Sequence, residues 1–168
     1  MSIGERALDR VSRIISVHEY QQRLEQLETA CSELNHADTR QREVWADGLG
    51  DLLESGYLIQ ADAERVVGWL VQRAVSDVDY AVRESALHAV SEAGVQYELP
   101  YAVLEPLAAN VETFEPLLWE YVLFSLSATH DKRARRTIEP FLAHPDAGVR
   151  KDAALAMTEL RDDGGKSA

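Results

Sequence analysis

The chain has 168 residues, of which 46% are apolar and 27% are charged, a composition typical of a globular protein rather than a disordered one. Its 29 acidic and 17 basic residues give a net charge of −12. Because a negative field repels phosphate groups, nucleic acid is not expected as a partner. The single cysteine, Cys31, excludes an internal disulfide framework.

No export or membrane segment is recognisable in the sequence. The start, MSIGERALDRVSRIISV, has neither the long apolar run nor the small-residue cleavage site of a secretory signal. No stretch approaches the roughly 20 apolar residues of a membrane-spanning helix. We therefore expect a soluble, cytoplasmic protein in which Cys31 fills the core.

Apolar residues recur at helical spacing along nearly the whole chain, and strand-like alternation is absent. An N-terminal helix is predicted at about 4–17, followed by a second helix within about 18–36. Turn residues separate further predicted helices at about 38–54, 61–76, 79–94, 100–111, 115–129, 132–143 and 146–161. The sequence therefore predicts a single all-α domain over 1–168.

One helical pattern occurs about four times. In DVDYAVRESALHAVSEAG (77–94) a Val–Arg pair is followed at fixed spacing by pairs of small or apolar residues, and HPDAGVRKDAALAMTEL (144–160) repeats this spacing. ADTRQREVWADGLGDLL (37–53) and FEPLLWEYVLFSLSA (114–128) fit the same frame. Equivalent positions lie 31 to 41 residues apart, which is the period of a repeat made of two helices.

The helices between these copies repeat as well. LEPLAA (104–109) and IEPFLA (138–143) each carry a proline within an apolar segment. Proline removes a backbone hydrogen bond and bends a helix. We therefore predict a kinked first helix in both units.

The segments DYAVRESALHAV and DAGVRKDAALAM resemble repeats of the HEAT family, in a short bacterial-type form, and the resemblance covers roughly 18–161. It implies an α-solenoid, or α-α superhelix, of about four helical pairs with an N-terminal capping helix. In such proteins each pair packs on its neighbours, and the second helices line a concave surface that binds partners. The implied units are about 18–54, 61–94, 100–129 and 132–161, with a flexible tail at 162–168.

An aspartate lies four residues before an arginine in three of the units, where it would cap the second helix. The arginine is then free to reach neighbouring acids. We interpret these residues as a structural ladder, and a row of substrate-binding arginines is the alternative. The pairs are Asp38–Arg42, Asp79–Arg83 and Asp146–Arg150.

The third unit departs from the pattern, because Glu115 keeps the acid but Trp119 replaces the arginine. On a helical wheel, three positions of each second helix lie opposite the core. They are Glu43, Asp47, Gly50; Glu84, His88, Ser91; Glu120, Phe124, Ser127; and Lys151, Leu155, Thr158.

Trp119, Tyr121, Phe124 and Leu155 place apolar side chains beside a row of acids formed by Glu43, Asp47, Glu84 and Glu120. An aromatic patch bordered by acids is typical of a surface that binds a basic protein. The alternative is that Trp119 and Phe124 pack inside an irregular third unit. The predicted partner-binding residues are Glu43, Asp47, Glu84, His88, Trp119, Glu120, Tyr121, Phe124 and Leu155.

No catalytic or metal-binding constellation is recognisable. Cys31 and His36 supply at most two ligands, fewer than a zinc site needs. No nucleophile motif and no glycine-rich loop between a strand and a helix occurs. We therefore expect no catalysis, no cofactor and no metal. The basic cluster DKRARR (131–136) is interpreted as a solvated turn, with a contact for an acidic partner or nucleic acid as the alternative.

The sequence thus favours a non-enzymatic protein-binding module, an adaptor or scaffold that engages a basic protein through its concave face. An immunity or antitoxin-type inhibitor that occludes a basic toxin, such as a nuclease, is the alternative. The HEAT resemblance also brings in DNA glycosylases and bilin-lyase-related proteins. The acids predicted to line the groove would repel DNA, and no residue supports a lyase.

Overall fold

A computed structural model describes residues 38–162, together with Gln22, Leu24, Glu25, Glu28 and Thr29. Within these residues the chain is helical and contains no strand, which confirms the predicted all-α class. Several predictions lie outside them: the N-terminal helix at about 4–17, Cys31, His36 and the tail beyond residue 162.

The described helices are α1 (Thr39–Glu54), α2 (Gln60–Ser76), α3 (Tyr80–Gln96), α4 (Tyr101–Ala109), α5 (Trp119–Ser127), α6 (Lys132–Ile138) and α7 (Ala147–Asp162). Three 3₁₀ segments accompany them, at Val111–Thr113, Pro116–Leu118 and Glu139–Ala143. The bounds of α1, α2, α3 and α7 match the prediction to within two residues.

Local sequence explains the ends of α1. The Asp38 side chain accepts a hydrogen bond from the Gln41 N–H at 2.9 Å, and the Gln41 side chain accepts one from the Asp38 N–H at 3.3 Å. This reciprocal capping satisfies two of the N–H groups that a helix start leaves free. After the C-cap Ser55, Gly56 adopts a φ of +65°, which glycine tolerates without strain, and the chain turns towards α2.

The two repeated prolines lie in different structures. Pro106 is inside α4, as predicted. Pro140 instead lies in the 3₁₀ segment Glu139–Ala143, which follows directly on α6. The prediction of a single helix over 132–143 is therefore wrong, because the missing N–H of proline interrupts the α-helical pattern and the chain tightens.

The helices pack in two rows. In one row α1 packs on α3, α3 on α5, and α5 on α7, while in the other α2 packs on α4 and α4 on α6. The rows join through the pairs α2–α3, α4–α5 and α6–α7. Fully buried leucines from both rows form the core between them, among them Leu70, Leu87, Leu104 and Leu123.

Small residues lie where successive helices of the α1, α3, α5, α7 row meet. Gly50, Ser91 and Ser127 were predicted to face outwards, but all three are buried. A Cβ atom at Gly50 would lie 3.1 Å from the Cβ of Ala89 on α3. The outward prediction fails at these positions because a wheel assumes one covered face, whereas helices in this row are covered on their flanks as well.

An arginine of α1 reaches the loop that precedes α3. Arg42 donates from Nε and Nη2 to the Asp77 carboxylate at 2.8 and 3.0 Å, and also pairs with Asp79. Thr39 Oγ1 donates to Asp79 Oδ2 at 2.6 Å. Because Thr39 and Arg42 of α1 engage the Asp79 carboxylate, Asp79 makes no side-chain capping hydrogen bond to α3. The prediction that Asp79 caps α3 is therefore wrong.

The Asp77 carboxylate is held charged inside the fold. Its side chain is only 3% exposed. Burial alone would raise the pKa of Asp77, but the hydrogen bonds from Arg42 and from the Asp79 N–H outweigh it and lower the pKa below the ordinary value. The arginine therefore stabilises the charged form of an acid that belongs to the next helix pair.

The same kind of link recurs one pair later. Arg83 of α3 pairs with Glu115, which lies in the loop before α5. At the last junction Trp119 occupies the arginine position. Asp146 then caps its own helix, accepting hydrogen bonds from the N–H groups of Gly148 and Val149 at 2.7 and 3.1 Å, and these bonds lower its pKa.

The close approach of α1 and α3 predicts opposite effects at two glycines of α1. Gly50→Leu is expected to destabilise the fold by about 1–3 kcal/mol, because the new side chain has no room beside Ala89. Gly48 has nothing within 4 Å, so Gly48→Ala is expected to stabilise the fold by about 0.5–1 kcal/mol. Urea unfolding followed by circular dichroism measures both, and an equal effect at the two positions would contradict the packing.

The contact between Arg42 and Asp77 predicts that removing the arginine lowers the free energy of unfolding, and that this loss depends on pH. Arg42→Met removes two hydrogen bonds and the nearer cation from the buried Asp77 carboxylate, leaves only Arg73 Nη1 at 3.8 Å, and is expected to cost about 2–3 kcal/mol of unfolding free energy near neutral pH. Because the pKa of Asp77 is lowered in the folded state, the link stabilises at neutral pH and its contribution is lost as the pH falls below about 4.

The exposed Arg40 provides the control for this change. Arg40→Met is expected to alter stability by less than about 0.5 kcal/mol. Urea unfolding at neutral and acid pH compares the two variants with the unaltered protein, and similar losses for both would rule out the buried link as the cause.

Candidate functional site

Six of the predicted partner-binding residues lie on the adjoining helices α3 and α5. Five of them, all except Trp119, form what we call the α3/α5 patch: Glu84, His88, Glu120, Tyr121 and Phe124. The ring of His88 meets the ring of Tyr121 edge-on, with centroids 5.7 Å apart and an interplanar angle of 82°. This contact joins the residues of the two helices in one surface.

The patch combines an exposed aromatic ring with acids. Phe124 is 44% exposed, so much of its ring is in contact with water. Glu120 precedes it by one helical turn and is exposed, so the two side chains lie on the same face of α5. His88 is exposed as well, whereas Glu84 and Tyr121 are half-buried.

The acids create a negative potential at the tyrosine. Burial raises the pKa of Tyr121, and the charges of Glu84 and Glu120 raise it further. Among the residues that the structure describes, neither glutamate forms an ion pair. The patch therefore carries negative charge that no described cation neutralises.

Tyr80 also belongs to this surface, although it was not among the predicted residues. Its hydroxyl donates a hydrogen bond to Glu84 Oε1 at 3.2 Å. Its pKa is raised, first by burial and then by the charge of Glu84. The four-residue spacing between the two, which places them on one face of α3, is the sequence signal that identifies Tyr80.

Trp119 was predicted to belong to the partner surface, but the structure places it in the junction between α5 and α7. Its ring centroid lies 5.1 Å from that of Phe141 and 4.9 Å from that of His144, in edge-on contacts. Its Nε1 donates a hydrogen bond to the Val111 carbonyl at 2.9 Å. The side chain is thus engaged by the fold, and the patch depends on Tyr121 and Phe124 instead.

The other predicted residues flank the patch. Leu155 is 61% exposed on α7, the helix that packs beside α5. On the opposite side, α1 carries Glu43, which is half-buried, and Asp47, which is exposed. No hydrogen bond or ion pair between described residues connects these three to the patch, so they extend the surface without being part of its contact network.

Elsewhere the described residues offer an open cavity on α1 but no cluster of three or more metal-ligating side chains. The cavity has a volume of about 480 Å³. Val44, which is exposed and lies outside the repeated core frame, is the sequence signal for this apolar surface. The described lining is Arg40, Gln41, Val44, Trp45, Gly48 and Leu49.

The basic cluster at 131–136 is partly held by the fold. Arg133 donates from Nε and Nη2 to the two oxygens of Asp131 at 3.0 and 2.8 Å. The side-chain and backbone hydrogen bonds of Arg133 lower the pKa of Asp131 to about 2. The guanidinium also lies over the Tyr101 ring, 4.4 Å from its centroid. Arg135 and Arg136 are exposed on α6.

The negative potential of the patch can be tested at Tyr121. Glu84→Gln combined with Glu120→Gln is expected to lower the pKa of the Tyr121 phenol, because the phenolate that forms no longer lies beside two negative charges. The ring-carbon NMR signal of Tyr121 followed through its titration measures this change. Glu112→Gln, at an exposed position outside the patch, should leave the pKa unchanged, and an unmoved pKa in the double variant would contradict the electrostatic assignment.

Neither a membrane-spanning helix in the described residues nor similarity to known proteins indicates a role for this chain. In the described residues no helix combines the length and the apolar character needed to cross a bilayer. Comparison with known protein families finds no match, and comparison with curated proteins finds none either. The function has therefore to be inferred from the surface itself.

Proposed function

We propose that this chain is a non-enzymatic HEAT-like binding module whose α3/α5 patch engages a basic protein partner. The single observation that carries the proposal is an exposed aromatic ring, Phe124, one helical turn after Glu120, in a patch whose two glutamates form no ion pair with a described residue. The two stacked rows of helices support the family assignment, since stacked helical pairs give this packing. The proposal places the protein in the cytoplasm, as an adaptor or scaffold.

The surface has the composition that protein interfaces use. Aromatic side chains supply most of the binding free energy when a partner covers them, and charged residues at the rim orient the approach. Phe124 and Tyr121 are the anchors in this arrangement, and Leu155 enlarges the apolar area. The carboxylates of the patch, together with Glu43 and Asp47 and the net charge of −12, attract a positively charged surface.

An immunity or antitoxin-type inhibitor is the more specific form of the proposal. A nuclease binds phosphates through a basic surface, and a row of carboxylates complements such a surface. The uncompensated charges of Glu84 and Glu120 favour this form. They also disfavour a DNA glycosylase, whose groove has to accept phosphates, and no described feature supports a bilin-lyase role.

The experiment is a quantitative comparison of proteins retained from the source cells by the immobilised chain. Phe124→Ala combined with Leu155→Ala is expected to reduce recovery of the true partner about tenfold or more, as the loss of an interface anchor does. Trp119 is left intact, because its loss would disturb the junction with α7. The partner is expected to be basic, and its association rate should fall with added salt.

The matched control is Val78→Ala combined with Leu142→Ala, which removes two exposed apolar side chains outside the patch. Both double variants are first checked for native circular dichroism and thermal unfolding. Equal recovery of every protein by the patch variant, the control and the unaltered chain would refute the proposed surface.

A further inference from the structure

The molecule contains a filled arginine site of its own. At that site the Arg133 guanidinium lies over the Tyr101 ring at 4.4 Å and forms two hydrogen bonds with Asp131. A tyrosine ring attracts the cation through its negative face, and a carboxylate accepts the fork of N–H groups. At this site one ring and one carboxylate together contact a guanidinium of the same chain.

The α3/α5 patch contains the same two kinds of group without a cation. Tyr121 supplies the ring, which is half-buried and meets the His88 ring at 5.7 Å between centroids. Glu84 lies one helical turn before His88 on α3, and Glu120 directly precedes Tyr121 on α5. Within the described residues no arginine or lysine pairs with either glutamate. The nearby Arg83 is engaged by Glu115.

We propose that the α3/α5 patch binds an arginine side chain of the partner. The guanidinium stacks on Tyr121 and donates hydrogen bonds to Glu84 or Glu120, while Phe124 covers its apolar stem. This inference rests on the proposed function and names the group that the partner presents. Arginine is favoured over lysine because a planar guanidinium stacks and bonds at once, whereas an ammonium is a compact, strongly hydrated charge.

Two short peptides test the preference directly. The probes are acetyl-Gly-Arg-Gly-Arg-Gly-amide and the same peptide with lysine in place of arginine, titrated into the full chain and followed by backbone and tyrosine-ring NMR signals. The arginine peptide is expected to bind about threefold more tightly and to shift the Tyr121 and His88 signals.

Substitutions in the patch separate the ring from the charges. Tyr121→Phe keeps the ring and should keep the preference for arginine, whereas Tyr121→Leu should abolish it. Glu84→Gln combined with Glu120→Gln should weaken both peptides. Tyr57→Leu and Glu112→Gln are the matched controls at exposed positions, and both should leave the affinities unchanged.

Two outcomes would overturn the guanidinium site. The first is equal affinity for the two peptides, and the second is an arginine preference that survives Tyr121→Leu in a folded variant. Salt-sensitive self-association of the free chain in sedimentation that is lost on Arg135→Ser combined with Arg136→Ser would instead overturn a separate partner as the source of the arginine, since a second copy would supply it.

The inference and the proposed function fail separately. If the peptides show no preference but partner recovery falls with Phe124→Ala and Leu155→Ala, the surface is correct and the arginine assignment is wrong. If the arginine preference is found but recovery is unchanged by those two substitutions, the guanidinium site is upheld and the proposed function is refuted.

Discussion

The pairing of Arg42 with Asp77 is the interaction on which the packing of successive helix pairs depends. It joins α1 to the loop that begins the next pair, and it keeps a buried carboxylate charged. Arg83 and Glu115 form a weaker contact of the same kind between α3 and the start of α5, in which Arg83 Nε and Glu115 Oε2 have no hydrogen-bond partner among the described residues. The contact between His88 and Tyr121 crosses that same interface. The geometry of the candidate site therefore follows from an ion pair that is not itself part of the site.

Much of the fold could be predicted because its signals are local. Apolar spacing and the capping of α1 by the Asp38 side chain, which accepts from the Gln41 N–H, set helix bounds through residues a few positions apart. The errors share a cause that is not local. Asp79 does not cap α3 because Thr39 and Arg42 compete for it, and Gly50 is buried because α3 approaches it. A single sequence identifies the chemistry of these side chains but not which neighbour uses it.

The site shows the same division. The repeated frame located His88 and Glu120 at exposed positions and Glu84 at a half-buried one, since at these positions no neighbouring helix covers the side chain completely. It also grouped Trp119 with them, because a residue that departs from a repeat can serve either binding or packing, and the sequence does not distinguish the two. Only the packing reveals that Trp119 contacts the loop before α7, while Phe124, five residues further on, is in contact with water.

The exchange of arginine for tryptophan at one junction has a consequence for how such a chain can be lengthened or rearranged. An arginine requires an acid in the loop that follows, and Trp119 requires Phe141 and His144. A copy of the second pair placed after the third would set Trp119 against Asp77, and that carboxylate would lose the hydrogen bonds of Arg42 and keep only the more distant Arg73 of its own pair. The pairs are therefore not interchangeable. At each junction the arginine or tryptophan of one pair matches residues of the next pair, and this matching fixes the order of the pairs along the chain.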